Sequence, residues 1–348
     1  MSGAPAPAPA GAGARPYAEL TPHRILDLLE AVGLPSSGGL LQLNSYENRV
    51  VQSRLDDGRM VVAKFYRSGR WTDDQILEEH RFAAELAADE VPVAAPLTLG
   101  RGPGCESVQL LGEPPTLAVD AQVRMAVALR CGGRSPDLDA PGVLERVGHF
   151  LGRLHRCGQR GRFEHRLNHH DAAPGERAVR WLLSHDILPP TVHEVWAEAA
   201  QAAVAQAQAC FAAVPGLRSF RIHGDFHPGN LLWTDAGPHF VDLDDACNGP
   251  AIQDFWMLLS GNRQAMRNQL LDLLDGYELF CEFDWREWEL LEALRTVRML
   301  HHSAWLAQRW ADPAFPVAFP WFGDEAYWRS ESALLREQVE RMRGDVTE

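Results

Sequence analysis

An α+β chain in two lobes is what the sequence predicts, a small β-rich N-terminal lobe followed by a larger, mostly helical C-terminal lobe. Three observations point there. The 348 residues exceed the roughly 100–200 typical of one domain. β-prone runs concentrate before residue 130, and amphipathic helical runs follow it. Gly132-Gly133 and the polar stretch Arg134–Asp139 separate the two regions as a connector. A hydrophobic content of 46% supports a sizeable core and excludes wholesale disorder. The expected divisions are an Ala/Pro/Gly tail over 1–16, an N-lobe over 17–130 and a C-lobe over 131–348.

The elements follow in order. Thr21-Pro22 supplies an N-cap and a first-turn proline for a helix over His23–Val32, where Ile25, Leu28, Leu29 and Val32 share a face. Arg49–Arg54 and Met60–Tyr66 flank the turn signal Asp56-Asp57-Gly58 and predict a hairpin. Thr72 with Gln75 three residues on predicts a capping box, opening a helix that buries Ile76, Leu77, Phe82, Ala83 and Leu86. Val91–Leu97, Ser107–Leu111 and Val123–Leu129 are further strand candidates. Beyond the connector, helices are expected over Val143–Cys157, Glu176–Ser184, Val192–Ala213, Ala251–Leu259, Arg263–Phe280, Trp285–Trp310 and Glu325–Arg341. A strand-turn-strand island, Phe220–Leu243, interrupts them.

Charge narrows the partners. The chain has 33 Lys+Arg against 47 Asp+Glu, a formal charge of −14, which disfavours nonspecific nucleic-acid binding. No apolar run approaches the ~18 residues that span a bilayer, and the first sixteen residues lack the apolar core of a secretory signal. Six cysteines without a C-x-x-C pair suggest reduced thiols in a cytoplasmic setting. Neither nucleic acid nor membrane is expected as a partner.

Chemistry concentrates in the island. His223-Gly224-Asp225-Phe226-His227-Pro228-Gly229-Asn230 packs an acid, two histidines and an amide into one irregular loop, and Asp242 follows at the end of an apolar run. Phosphoryl transfer needs this combination. One carboxylate orients or deprotonates the attacking hydroxyl, while another and an amide oxygen hold Mg²⁺ against the nucleotide phosphates. The spacing H-x-D-x-x-x-x-N with a downstream Asp is that of a kinase catalytic loop. The alternative is an Asx-rich turn beside a solvated acidic loop. Phe240 and Val241 before Asp242 argue against it, because a merely solvated acid rarely ends a buried strand.

A phosphate-side cation is also needed. Lys64, in the strand Val61-Val62-Ala63-Lys64-Phe65, is the only lysine in the sequence, which singles out a compact ammonium among arginines. Glu78 and Glu79 on the following helix are its candidate partners, and Glu79 has the more suitable spacing. Ser45, in Leu43–Arg49 before the hairpin, is a candidate phosphate contact, with a polar β-turn as the competing reading. Asp254 is expected to brace the backbone of the catalytic loop. His169-His170-Asp171 and His301-His302 lack metal-ligand spacing.

HGDFHPGN with FVDLDD resembles the aminoglycoside phosphotransferase/choline kinase superfamily, a branch of the protein-kinase-like fold. The stretches LNSYENRV, VAKFYRSGRWTDDQILEEH and RWADPAFP resemble more specifically a bacterial serine/threonine protein kinase group within it. The likeness runs from about Thr21 to Arg341. It implies a bilobal kinase fold with ATP as co-substrate and Mg²⁺ as cofactor. By matching position it implies Asp225 as proton acceptor, Asn230 and Asp242 as metal ligands, with Asp242 counted among the catalytic residues, and Ser45, Lys64 and Glu79 as nucleotide contacts. It further implies protein Ser/Thr substrates, a monomer, a cytoplasmic location and a role in oxidative and envelope stress. A small-molecule kinase acting on an amino-alcohol or sugar is the alternative, since the same loop serves both. A nucleotide-sensing module without catalysis is opposed by the intact set Lys64, Asp225, Asn230 and Asp242.

Overall fold

The structure, a computed structural model, describes residues 17–344. The expected tail over 1–16 lies outside the described residues. The chain divides into two compact units. One runs to Arg134 and takes in Leu232–Asp244; the other holds Ser135–Leu231 and the chain from Asp245 onward.

The first unit opens with α1 (Pro22–Ala31), whose N-cap Thr21 accepts the Arg24 N–H and whose first turn carries Pro22. Strands β1 (Ser36–Gln42), β2 (Arg49–Leu55) and β3 (Met60–Phe65) follow, then α2 (Asp73–Ala88), β4 (Gln109–Leu111), β5 (Leu117–Asp120) and β6 (Val123–Leu129). They make one sheet in the order β1-β2-β3-β6-β5-β4, antiparallel at every pairing. The β2–β3 turn forms as its sequence requires: Gly58 takes φ +88°, and Arg59 N–H bonds Asp57 Oδ1 at 2.9 Å. α2 starts on the full Thr72–Gln75 capping box. Leu28 and Leu29 of α1 pack with Val51, Val61, Phe65 and Val127 in a closed core beside the sheet.

Two features of this unit differ from the sequence reading. Val91–Leu97 is not a strand; only isolated bridges form, Val93 to Phe240 and Pro96 to Ala128, because Pro92 and Pro96 have no N–H for a ladder. β1, conversely, lies where the sequence reading assigned no element. It is a largely exposed edge strand with no buried face to mark it.

The second unit begins with α3 (Val143–Gly158), α4 (Ala173–Ser184), α5 (Pro190–Ala213) and the short strand β7 (Phe220–Ile222). The chain then contributes the hairpin β8 (Leu231–Thr234) and β9 (Gly237–Phe240), which falls in the first unit from Leu232 on, before β10 (Cys247–Gly249), which pairs antiparallel with β7. α6 (Arg263–Tyr277), α7 (Leu291–Arg309), α8 (Ala314–Ala318) and α9 (Glu325–Arg343) complete it. α3 and α6 meet at glycines: a Cβ on Gly148 would overlap the Leu273 carbonyl, and one on Gly276 the Glu145 carbonyl. A second core is built from α4, α5, α7 and α9, with Trp196 and Trp328 edge-to-face at 5.4 Å. The expected helix over Ala251–Leu259 is two 3₁₀ turns, Ala251–Asp254 and Trp256–Leu258. From this segment Asp254 gives its carboxylate to backbone donors elsewhere in the unit. Trp285–Leu290 is likewise 3₁₀ before α7.

All six cysteines are free thiols. Among the described residues, no helix is long and apolar enough to cross a membrane.

Candidate active site

The loop after β7 is held by one buried acid. Asp254, fully buried, accepts the backbone N–H of His223 at 2.7 Å and of Gly224 at 2.8 Å. His155 of α3 lies 3.0 Å from the same carboxylate through Nε2 and 3.0 Å from the Tyr277 hydroxyl through Nδ1. Gly224 sits at φ +82° against the Asp245 carbonyl, where a Cβ would overlap it. The brace expected of Asp254 is therefore present, and it leaves the next residue, Asp225, with its side chain directed by other contacts.

Asp225 is four-fifths buried. Its Oδ1 lies 2.6 Å from Arg298 Nη1 of α7, and its Oδ2 lies 3.5 Å from His227 Nε2. Burial acts to raise its pKa, but the His227 hydrogen bond and the Arg298 charge prevail and hold the carboxyl well below the usual range. His227 also accepts Gly229 N–H at 3.0 Å through Nδ1, closing the turn. Asn230 donates from Nδ2 to the Asp225 carbonyl at 2.9 Å and toward Oδ2 at 3.4 Å. That use of the NH₂ end turns the amide Oδ1 the other way, as an oxygen donor suited to a hard cation.

The first unit gathers a different group. Lys64 Nζ lies 2.8 Å from Asp244 Oδ1, 3.3 Å from Asp242 Oδ1 and 3.4 Å from Glu79 Oε1. Burial acts to lower its pKa, yet Asp244, Glu79, Tyr66 and Asp242 together raise it well above the usual lysine value. Asp244, 3% exposed at its side chain, also takes Arg70 Nη1 at 2.5 Å and Asn48 Nδ2 at 3.2 Å. Asp242 is half exposed and stands at φ +61°, the left-handed region that costs a β-carbon residue about 1–2 kcal/mol. Strain of that kind concentrates at functional positions.

Lys64, Glu79 and Asp242 are thus brought together in one cluster, and Asp225 and Asn230 in one loop. The ion pair on α2 is made by Glu79. Ser45 caps its own turn by accepting the Asn48 N–H at 3.2 Å; the residue of that loop that reaches the cluster is Asn48. Sequence reading missed Asn48, Arg70, Asp244 and Arg298. Asp244 carried a usable signal, an acid directly after the apolar Leu243 in the Asp242–Asp245 run. Arg298 carried none, being one arginine of several on an amphipathic helix.

Each unit offers a hard oxygen donor of the kind Mg²⁺ takes: in the first, the Asp242 carboxylate with half its surface open; in the second, the Asn230 amide oxygen, aimed away from its own hydrogen bonds. Among the described residues, no group of three or more His, Cys, Asp or Glu could hold a metal ion.

A profile described as "Phosphotransferase enzyme family" matches residues 39–291. The chain belongs to the phosphotransferase enzyme family. It is 43% identical over 329 residues to "Stress response kinase A" of Escherichia coli O157:H7, covering 93% of this chain and 94% of that protein. It is 41% identical over 338 residues to "Serine/threonine protein kinase RdoA" of Salmonella typhimurium, with the same coverages of 93% and 94%. Among solved structures, it is similar to the amicoumacin kinase hAmiN in complex with AMP-PNP, Ca²⁺ and Ami, with a TM-score of 0.66 at 17% identity and coverages of 92% and 93%. A microcompartment-associated aminopropanol kinase aligns with a TM-score of 0.63 at 18% identity, covering 91% of this chain and 98% of that one. The protein-kinase-like α+β fold expected from the sequence is the fold of this family, and the chain is a phosphotransferase.

Proposed function

We propose that the chain is an ATP- and Mg²⁺-dependent kinase that phosphorylates Ser/Thr hydroxyls of proteins, as a cytoplasmic monomer acting in bacterial stress response. The observation that carries the reading is its 41–43% identity, across 93% of the chain, to kinases bearing those names. Asp225 takes the acceptor proton. Asn230 and Asp242 would hold Mg²⁺, which supplies charge neutralisation on the β- and γ-phosphates when bound. Lys64, oriented by Glu79 and Asp244, is the cation for the nucleotide phosphates, and Ser45 lies in the loop that covers them. The acceptor oxygen bonds the γ-phosphorus as the bond from that phosphorus to the bridging oxygen breaks. ADP departs with the electron pair, and the hydroxyl proton passes to the Asp225 carboxylate.

Asp225, held ionised by a cation, is a weak base. That matches a loose transition state in which positioning matters more than early deprotonation. The fold likeness to an aminopropanol kinase and an amicoumacin kinase supports the second reading, a small-molecule acceptor, but at 17–18% identity it reaches only the fold. Labelled ATP offered with a protein substrate and with a metabolite panel separates the two. Protein labelling that falls roughly 10²–10⁴-fold in Asp225→Ala is expected. Metabolite turnover without protein labelling would overturn the protein-kinase reading, and near-full activity of Asp225→Ala would overturn the role of Asp225.

A further inference from the structure

A carboxylate that accepts a proton must present one chosen oxygen to the hydroxyl, and the terminal torsion of an aspartate is broad and roughly two-fold. Something has to fix it. The Asp225 carboxylate makes one short polar contact, Oδ1 to Arg298 Nη1 at 2.6 Å. Its contacts at Oδ2, with Asn230 Nδ2 at 3.4 Å and His227 Nε2 at 3.5 Å, are long.

We infer that Arg298 is the positioning residue of Asp225: by occupying Oδ1 it leaves Oδ2 as the oxygen that receives the acceptor proton. The inference rests on the reading of Asp225 as proton acceptor. Arg298 is well mounted for the task. α7 spans 19 residues, and its buried face includes Leu294, Val297, Leu300, Ala304 and Ala307. A side chain on a packed helix is placed more reproducibly than one on a loop. Its helix neighbour Arg295 is satisfied locally, by Glu292 at 2.9 Å, and Arg309 lies over the Trp305 ring. Arg298 instead leaves its helix to reach the loop after β7.

Folding stability does not account for the contact. The Arg298 side chain is 43% exposed, and exposed ion pairs add little to stability. The contact is an ion pair through a single nitrogen; Asp225 Oδ1 is buried and has no hydrogen-bond partner among the described residues, so the guanidinium charge is what fixes that oxygen. Each carboxylate oxygen carries two lone pairs, so the ion pair persists while the hydroxyl docks and no rearrangement is required.

The test is a double-mutant cycle on kcat with Arg298→Ala, Asp225→Asn and the pair, together with Arg298→Lys and the KM for ATP of each. Arg298→Ala is expected to lower kcat by about 10²-fold, the usual cost of a misplaced reacting group, with KM for ATP unchanged. Arg298→Lys recovers part of the loss, and so does millimolar guanidinium added to Arg298→Ala. In the Asp225→Asn background the same substitution has no further effect, because residues acting as a unit are non-additive. Wild-type kcat in Arg298→Ala overturns the inference, and so does an equal fold-loss in both backgrounds. A fully active Asp225→Asn overturns the proton-acceptor reading on which it rests; an inactive Asp225→Asn beside a fully active Arg298→Ala leaves that reading standing and sinks only Arg298. Should Arg298→Ala fold poorly, Arg298→Lys carries the same comparison: a kcat equal to wild type, in a variant with a compact ammonium in place of the guanidinium, counts against it.

Discussion

The Lys64 cluster of the first unit and the Asp225 loop of the second both set carboxylates beside cations, but they are held in different ways. Around Lys64 the contacts are side chain to side chain and overlapping: three acids share one ammonium, and Asp244 also takes Arg70 and Asn48. Around Asp225 the short contacts are fewer, since Asn230 and His227 approach Oδ2 only at 3.4 and 3.5 Å. Asp254 alone accepts the N–H groups of His223 and Gly224, and Arg298 alone approaches closely to Asp225 Oδ1. The first arrangement is expected to tolerate the loss of a member, and the second is not.

The largest expected effect tests the singular side. Asp254→Ala strands His155 and two buried N–H groups, and should cost about 3–5 kcal/mol, the usual penalty for breaking a buried pair. Denaturant unfolding measures it, and a cost below about 1 kcal/mol would show that the loop has other supports.

A buried acid elsewhere in the second unit sharpens the contrast with Asp225. Glu287 accepts the Ile252 N–H at 2.9 Å. Burial pushes its pKa to about 7, while the backbone bonds and Arg218 offset only part of that rise. A folded-state pKa above the unfolded value means that the folded chain keeps a proton the unfolded chain has released. Its stabilising contribution is therefore full below about pH 4.5 and is lost as pH rises through about 7. Glu287→Gln should flatten that dependence and leave the variant more stable than wild type at pH 8, by on the order of 1–3 kcal/mol. Equal pH profiles of unfolding in the two proteins would refute this.

On the overlapping side, Asp244→Asn leaves Lys64 with Glu79 and Asp242. A rise of about tenfold in KM for ATP is expected, some 1.4 kcal/mol, with the unfolding midpoint little changed. Loss of the fold would make Asp244 as singular as Asp254. The smallest effect on stability is at Asp242. Asp242→Gly relieves the left-handed strain and should stabilise the chain by at most about 1 kcal/mol while phosphoryl transfer disappears; a lowered melting temperature would contradict it.

What the sequence made legible follows the same division. Local chemistry was readable: the Asp57-Gly58 turn, the Thr72–Gln75 box, and a loop whose Asp225, Gly224 and Asn230 each have a stereochemical reason. Lys64 stood out by composition alone. Long-range pairings were not readable. Arg298 meets Asp225 only because α7 packs as it does, and no spacing encodes that. Where propensity misled at Val91–Leu97, a backbone constraint prevailed: Pro92 and Pro96 cannot ladder. Ala251–Leu259 forms two 3₁₀ turns in place of a helix.

The solitary lysine has a practical consequence. All but one of the 33 basic residues are arginine, so amine-directed reagents have a single side-chain target in the entire protein. Its carboxylate neighbours keep that amine protonated and therefore unreactive at neutral pH. Each molecule thus carries one built-in reporter, silent while the acids surround it. Its acylation, located by peptide mass to separate it from that of the N-terminal amine, would register how often the cluster opens.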